Sequence, residues 1–231
     1  MRTIKAIFVK QAHDILKNRM MLIPFIILPA MAFVMTEFVA KPSEEVADSV
    51  FVTMFAAMFV GMMPLMMMNS AIAEDREHKS LRFLVMAGVK PYEYLLGIGG
   101  FVLVMCFLAA VVFGLIGGFG GIELVKFIGI LILGAMVSVV LGATIGIFSK
   151  NQQSATATAT PVYLILALSP MISMFNETLA KVASVFYTLQ VKMVVEDFSM
   201  SVTKPILIIL ANMVVFFVLF VLAYRKKGLR A

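Results

Sequence analysis

The chain has 231 residues, of which 62% are hydrophobic and 14% charged; its mean hydropathy is +1.04 and its formal net charge +6. So little polar surface excludes an ordinary soluble domain of this size. The charges are gathered between long uncharged stretches, so the chain is an integral membrane protein and its positive balance reports topology rather than nucleic acid binding.

Six uncharged stretches, 20–36, 49–73, 94–122, 127–149, 151–176 and 205–224, are each long enough to span. A helix rising about 1.5 Å per residue needs roughly 20 residues for a hydrocarbon core about 30 Å thick. The runs are continuous rather than alternating, which favours helices over barrel strands of about 10 residues. The predicted fold is an all-α membrane protein, with residues 1–231 forming a single transmembrane domain of six spans.

Residues 1–19 precede the first span. Ile4, Ile7, Phe8, Ala12, Ile15 and Leu16 follow a helical stripe, with Lys5, His13, Asp14 and Lys17 off it. This predicts an interfacial helix. The basic region is too long and too amphipathic for a signal peptide, and Pro24 and Pro29 interrupt the apolar run, so 20–36 is expected to stay as the first span.

Segment 74–93 opens with dense charge, from Glu74 to Lys79. Leu81, Leu84 and Val85 then recur at helical spacing. Gly88 can end a helix and Pro91 cannot continue one. A short helix is therefore expected at the mouth of the second and third spans, offering a charged and partly apolar surface to a cytoplasmic partner. A loop that only carried positive charge would need no apolar stripe. His78 with Glu74 and Glu77 makes a poor metal set, with one histidine and cations beside it, so no metal is expected.

The lone Cys106 provides no disulfide framework. Gly114, Gly117 and Gly118 in the third span, and Gly142-x-x-x-Gly146 in the fourth, suit close helix approach. Segment 177–204 is too long for a turn. Leu179, Val182, Ala183, Phe186, Leu189, Met193 and Val194 keep near-helical spacing there, which predicts an amphipathic helix at, or dipping into, the outer interface.

With the N-terminus inside and six spans, the inside segments hold 14 of the 19 basic residues. Both termini are therefore expected in the cytoplasm. No span carries a charge at mid-depth, which disfavours an ion-coupled pump with a buried carboxylate. No His-Glu-x-x-His or Gly-x-Ser-x-Gly motif is present, and no enzymatic activity is expected of this chain. No internal repeat marks an inverted-repeat transporter. The polar groups inside the spans are neutral: Asn69, Thr156, Thr160 and Tyr163. With the adaptable Met62, Met66 and Met67 they form a candidate lining for apolar or amphipathic cargo, although close helix packing uses the same residue types.

The group Glu74-Asp75-Arg76-Glu77, followed by Ser80-Leu81 and later by Leu96-Gly97 at the start of the third span, resembles the ABC type-2 permease family, as does an interfacial helix ahead of six spans. Two positions depart from that pattern: Lys79 stands where a glycine is usual, and Ile98 where a lysine is. The resemblance implies a coupling helix that docks on a separate ATPase, carried by Glu74, Arg76, Glu77, Leu81, Arg82, Phe83, Leu84 and Val85. The chain has no Gly-x-x-x-x-Gly-Lys-Ser/Thr phosphate loop, so ATP and Mg would be held by that partner. It further implies two ATPase copies and a second permease chain, identical or homologous, in a cell membrane, bacterial inner or plasma. The expected activity is export of hydrophobic or amphipathic cargo (peptide, drug or lipid) from the cytoplasm or inner leaflet, with antimicrobial or toxin peptide export as one subgroup. The alternative is a passive or ion-coupled carrier or channel without an ATPase.

Overall fold

The computed structural model describes residues 2–17, 19–43, 47–175 and 177–227, with the side chains of residues 2, 3, 15–17, 19–22, 24, 81, 82, 85, 91, 226 and 227 outside the described set, Ile15 and Leu16 of the expected α1 stripe among them. Every regular element among the described residues is helical. In chain order these are α1 (Arg2–Lys17), α2 (Arg19–Met35), which runs on into a π-helical turn (Thr36–Ala40), α3 (Val50–Glu77), α4 (Ser80–Met86), α5 (Pro91–Ile116), α6 (Gly121–Phe148), α7 (Gln152–Ile172), α8 (Glu177–Ala183), α9 (Tyr187–Glu196) and α10 (Thr203–Lys227).

Local chemistry sets the helix ends. Pro91 opens α5 at a position where a missing N–H costs nothing, and the Glu93 carboxylate accepts the Lys90 backbone N–H at 3.0 Å. Asn151 caps α7 by accepting the Ser154 N–H at 2.8 Å, while the Ser154 hydroxyl accepts the Asn151 N–H at 3.2 Å. Gly88, at φ 79°, closes α4, and the Val89 N–H returns to the Leu84 carbonyl at 3.0 Å.

Among the described residues, α3, α5, α6, α7 and α10 are long and apolar enough to cross a membrane, and α2 with its π turn contributes the shorter apolar run Phe25–Ala40. The central helix is α3: 61% of its apolar window is buried, against 17% for α10 at the edge. It packs against α2, α5, α6, α7 and α9. Its closest neighbour is α6, which presents a small-residue stripe at every fourth position: Gly134, Ser138, Gly142 and Gly146. A Cβ on Gly142 would lie 2.4 Å from the Leu65 carbonyl oxygen, and one on Gly146 would lie 2.9 Å from that of Asn69. The small stripe therefore sets the separation of the two helices. Edge-to-face contacts of Phe59 with Phe25 (5.2 Å) and with Phe113 (5.6 Å) tie α2 and α5 to the same axis.

Several boundaries differ from the sequence expectation. α5 ends at Ile116 and α6 begins at Gly121, so the third span stops short of residue 122, and Gly117 and Gly118 lie in the turn after it rather than inside it. The second span does not stop at residue 73, because α3 continues to Glu77. The charged group Glu74–Glu77 thus forms the last turn of a spanning helix, and only α4 is a separate short helix. Segment 177–204 differs more. It folds as α8 and α9 with a bend of 107° between them, and α9 packs inside the bundle among α3, α6, α7 and α10, so the segment takes the dipping arrangement and is not one helix lying along an interface. Tyr187, Val191 and Val195 are fully buried, and Met193 is exposed. Burial is tolerated because the polar side chains of α9 find partners. Tyr187 and Ser138 share a hydrogen bond of 2.5 Å, Thr188 and Ser169 one of 2.8 Å, and Lys192 donates to Glu196 at 2.7 Å.

Candidate functional site

At one end of the bundle, α1, α4, the last turn of α3 and the first turn of α5 meet around Asp75. This carboxylate is 3% exposed. It accepts Lys10 Nζ of α1 at 2.5 Å and the Tyr94 hydroxyl of α5 at 2.9 Å. One buried acid therefore pins the interfacial helix and the third span to the end of the second. Burial works against the Lys10 ammonium, but the Asp75 hydrogen bond and the charges of Asp75, Asp14 and Glu74 outweigh it. Lys10 consequently titrates above its ordinary value.

A groove of about 450 Å³ runs between α1 and α4 over this hub, lined by Ile7, Lys10, Asp75, Phe83, Leu84 and Ala87. The coupling residues named from the sequence separate here. Phe83 is 65% exposed, whereas Leu84 is half-buried and packs onto the chain's own core. The outward apolar anchor is thus Phe83, with Met86 beside it at 64%. Leu81, Arg82 and Val85 belong to α4, but their side chains lie outside the described residues. Glu77 accepts the Gln152 backbone N–H at 3.1 Å and so fastens the end of α3 to the start of α7. Glu74 and Arg76 are half-buried, and Arg76 Nη1 is shielded from solvent without a hydrogen-bond partner. Among the described residues no three His, Cys, Asp or Glu side chains converge as metal ligands.

Between α3 and α4, Lys79 takes φ 59°. A left-handed residue without a glycine is strained, and this is the position where the sequence comparison with the ABC type-2 pattern expected glycine.

In the membrane, α3 has one stripe that its neighbours leave half open: Phe55, Met58, Met62, Met66, Ser70 and Glu74, spaced mostly by four. Met62 and Met66 belong to this stripe. Met67 and Asn69 do not, being 3% and 2% exposed on faces turned into the bundle. A helix turns about 100° per residue, so neighbours in sequence cannot share a face, and these two are removed from the candidate lining. α7 packs beside α3. A Cβ on Gly61 would lie 3.1 Å from the Leu166 carbonyl carbon, and the Glu77–Gln152 bond closes the other end, so the two helices run antiparallel. Thr156 is exposed and donates to the Gln152 carbonyl at 3.0 Å; Thr160 is half-buried and donates to the Thr156 carbonyl at 2.7 Å. Tyr163, 9% exposed, donates to the Thr160 hydroxyl at 3.2 Å. Thr160 thus keeps its own donor inside the helix and leaves a weak polar surface, without charge.

Asp75, Tyr94, Ser138 and Tyr187 organise these sites, yet sequence reasoning did not single them out. Asp75 carries a usable signal: it follows Met68, Ala71 and Ile72 at helical spacing and so continues a buried face with a charge, which demands a partner. The partners Lys10 and Tyr94 lie 65 and 19 residues away and have no local signature.

The arrangement is that of a multi-pass, all-α membrane domain with a groove between α1 and α4 at one end. A family model described as "ABC-2 family transporter protein" matches residues 14–224. The chain belongs to that family, and as such it is the membrane permease component of an ABC transporter, a type that associates with an ABC ATPase. No curated protein matches the chain.

Proposed function

We propose that the chain is an exporter subunit that works as a pair, two copies facing each other above two ATPase subunits, with both termini in the cytoplasm. Cargo that is apolar or amphipathic (a peptide, drug or lipid) moves along the half-open stripe of α3 beside α7. The observation that carries this reading is the stripe itself. The most buried helix of the chain leaves one line half open, and that line runs along Met58, Met62, Met66 and Ser70; α7 packs against α3 and carries the neutral hydroxyls of Thr156 and Thr160. Soft methionines and uncharged hydroxyls accommodate varied apolar shapes but give no counter-charge to a small ion. The α1–α4 groove, with Phe83 outermost, receives the ATPase.

Co-expression with the ATPase and reconstitution test both halves. Met66→Trp and Thr160→Trp are expected to reduce export while assembly and basal ATP hydrolysis persist, whereas Leu219→Trp on the lipid side of α10 should leave export intact. Normal export in both stripe variants removes the pathway from α3 and α7. Phe83→Asp is expected to prevent copurification of the ATPase, because an unpaired charge would enter a desolvated contact. Undiminished copurification refutes the docking assignment.

A further inference from the structure

We propose that a slot between α5, α6 and α10 holds one acyl chain of an anionic phospholipid, with Lys90 and Arg225 taking the phosphate at its mouth. The slot encloses about 240 Å³ and is lined by Leu96, Gly99 and Leu103 of α5, Met136 and Val140 of α6 and Phe217 of α10, so that apolar side chains and glycine backbone form its walls. It is separate from the α3 stripe and from the α1–α4 groove. It opens outward: Leu96 is 54% exposed and Phe217 42%. Gly99 and Gly100 leave a trough, and a Cβ on Gly99 would come within 2.9 Å of Val139 Cγ1. From Tyr92 to Leu103 the α5 wall runs about 17 Å at 1.5 Å per residue. One leaflet of a hydrocarbon core is about 15 Å deep, so the slot has the length of a single monolayer.

The mouth supplies the complementary charge. Tyr92 lines the slot, and Lys90 Nζ stands 5.9 Å from its ring centroid, which keeps the ammonium at the rim. The nearby acid, Glu93, is committed to the Lys90 backbone N–H. Tyr224 donates to the Val89 carbonyl at 3.4 Å, which brings the end of α10, and hence the exposed Arg225, to the start of α5. An apolar channel one leaflet deep under two exposed cations matches a phospholipid with a net negative headgroup. The site belongs to the basic end of the bundle whichever way the bundle faces. Only the choice of leaflet follows from the orientation proposed above.

The chain contains no tryptophan, so one introduced residue reports locally. Leu96→Trp, with Phe217→Trp as a second reporter, is reconstituted as full-length chain in vesicles carrying either dibrominated phosphatidylglycerol or dibrominated phosphatidylcholine, and fluorescence quenching is measured. Phosphatidylglycerol should be preferred about thirty-fold, from about five-fold for each of the two basic residues at the anionic headgroup. Lys90→Gln in the same background should cut the preference about five-fold, and Lys90→Gln with Arg225→Gln should abolish it. Val215→Trp, on the lipid face of α10, should be quenched equally by both lipids. Equal quenching of the slot reporters by the two lipids overturns the headgroup site. Quenching by neither overturns the lipid occupant, since a second chain then covers the slot. A phosphatidylglycerol preference at Val215→Trp as strong as at the slot also overturns it. No ATPase enters the measurement, so failure here is distinct from failure of the exporter reading.

Discussion

Removing the Tyr94 hydroxyl probes the hub on which α1, α3 and α5 converge. Tyr94 is fully buried and Asp75 nearly so, and their hydrogen bond of 2.9 Å has a carboxylate as acceptor. Tyr94→Phe deletes that bond while retaining the ring, so no cavity forms. A hydrogen bond to a charged partner contributes about 1.5–3 kcal/mol. For a chain of this size each kcal/mol moves the unfolding midpoint by roughly 2–4 °C, so the variant should melt roughly 3–12 °C lower. Cys106 offers the assay: it is the only cysteine, it lies in α5 and it is 2% exposed, so a thiol-reactive dye follows the opening of that helix on heating. Lys10→Met should also lower the midpoint, because a buried carboxylate loses its cation. Adding Asp75→Asn to Lys10→Met should recover most of the loss, since the neutral amide no longer needs one. A Tyr94→Phe midpoint within about 1 °C of the unaltered chain, below the smallest shift expected from such a bond, would refute the hub. So would strict additivity of Asp75→Asn and Tyr94→Phe, which share one contact. The pH dependence has a definite sign. Lys10 is raised above 10.5, so its contribution is complete below that value and is lost only as pH climbs through the folded-state value. Lys10 should therefore add no slope to stability at neutral pH.

Three further perturbations bear on packing and turns. Gly142→Ala places a methyl 2.4 Å from the Leu65 carbonyl and should push α3 and α6 apart, costing about 1–3 kcal/mol or more, whereas Gly129→Ala, with nothing within 4 Å, should be silent; thermal midpoints of the two variants decide it. Tyr187→Phe breaks the bond to Ser138 that holds α9 in the bundle, and interhelical bonds in membranes contribute about 0.6–2 kcal/mol; amide exchange should accelerate across Tyr187–Glu196, and unchanged exchange contradicts the anchoring role. Lys79→Gly should stabilise the chain by up to about 1–2 kcal/mol, the left-handed strain that Lys79 carries, while the β-branched Lys79→Val should lower the midpoint; both are read from the same Cys106 signal.

The sequence by itself determined the membrane, the helical class, the family resemblance and most span positions. Those properties rest on the cost of putting charge in hydrocarbon and on the length of a spanning helix, and both are local. It also determined the helix end at Gly88 and the break before Pro91, because φ preference and a missing N–H act within one residue. The face of each helix was another matter. In a soluble helix the apolar stripe marks the inside, but in a bilayer lipid and core are equally apolar, so α3 shows no polarity difference between Met66, half open, and Met67, buried. Only packing decided that assignment, through the small stripe Gly134, Ser138, Gly142 and Gly146 of α6 that buries one side of α3. Packing likewise drew α9 inside. The apolar spacing of 177–204 suits an interface as well as a core, and the choice depended on Ser138 of α6 and Ser169 of α7 being placed to satisfy Tyr187 and Thr188. Asp75 lay in plain view within a charged run, but its role required Lys10 and Tyr94 to arrive from distant parts of the chain, a juxtaposition that only the tertiary structure makes.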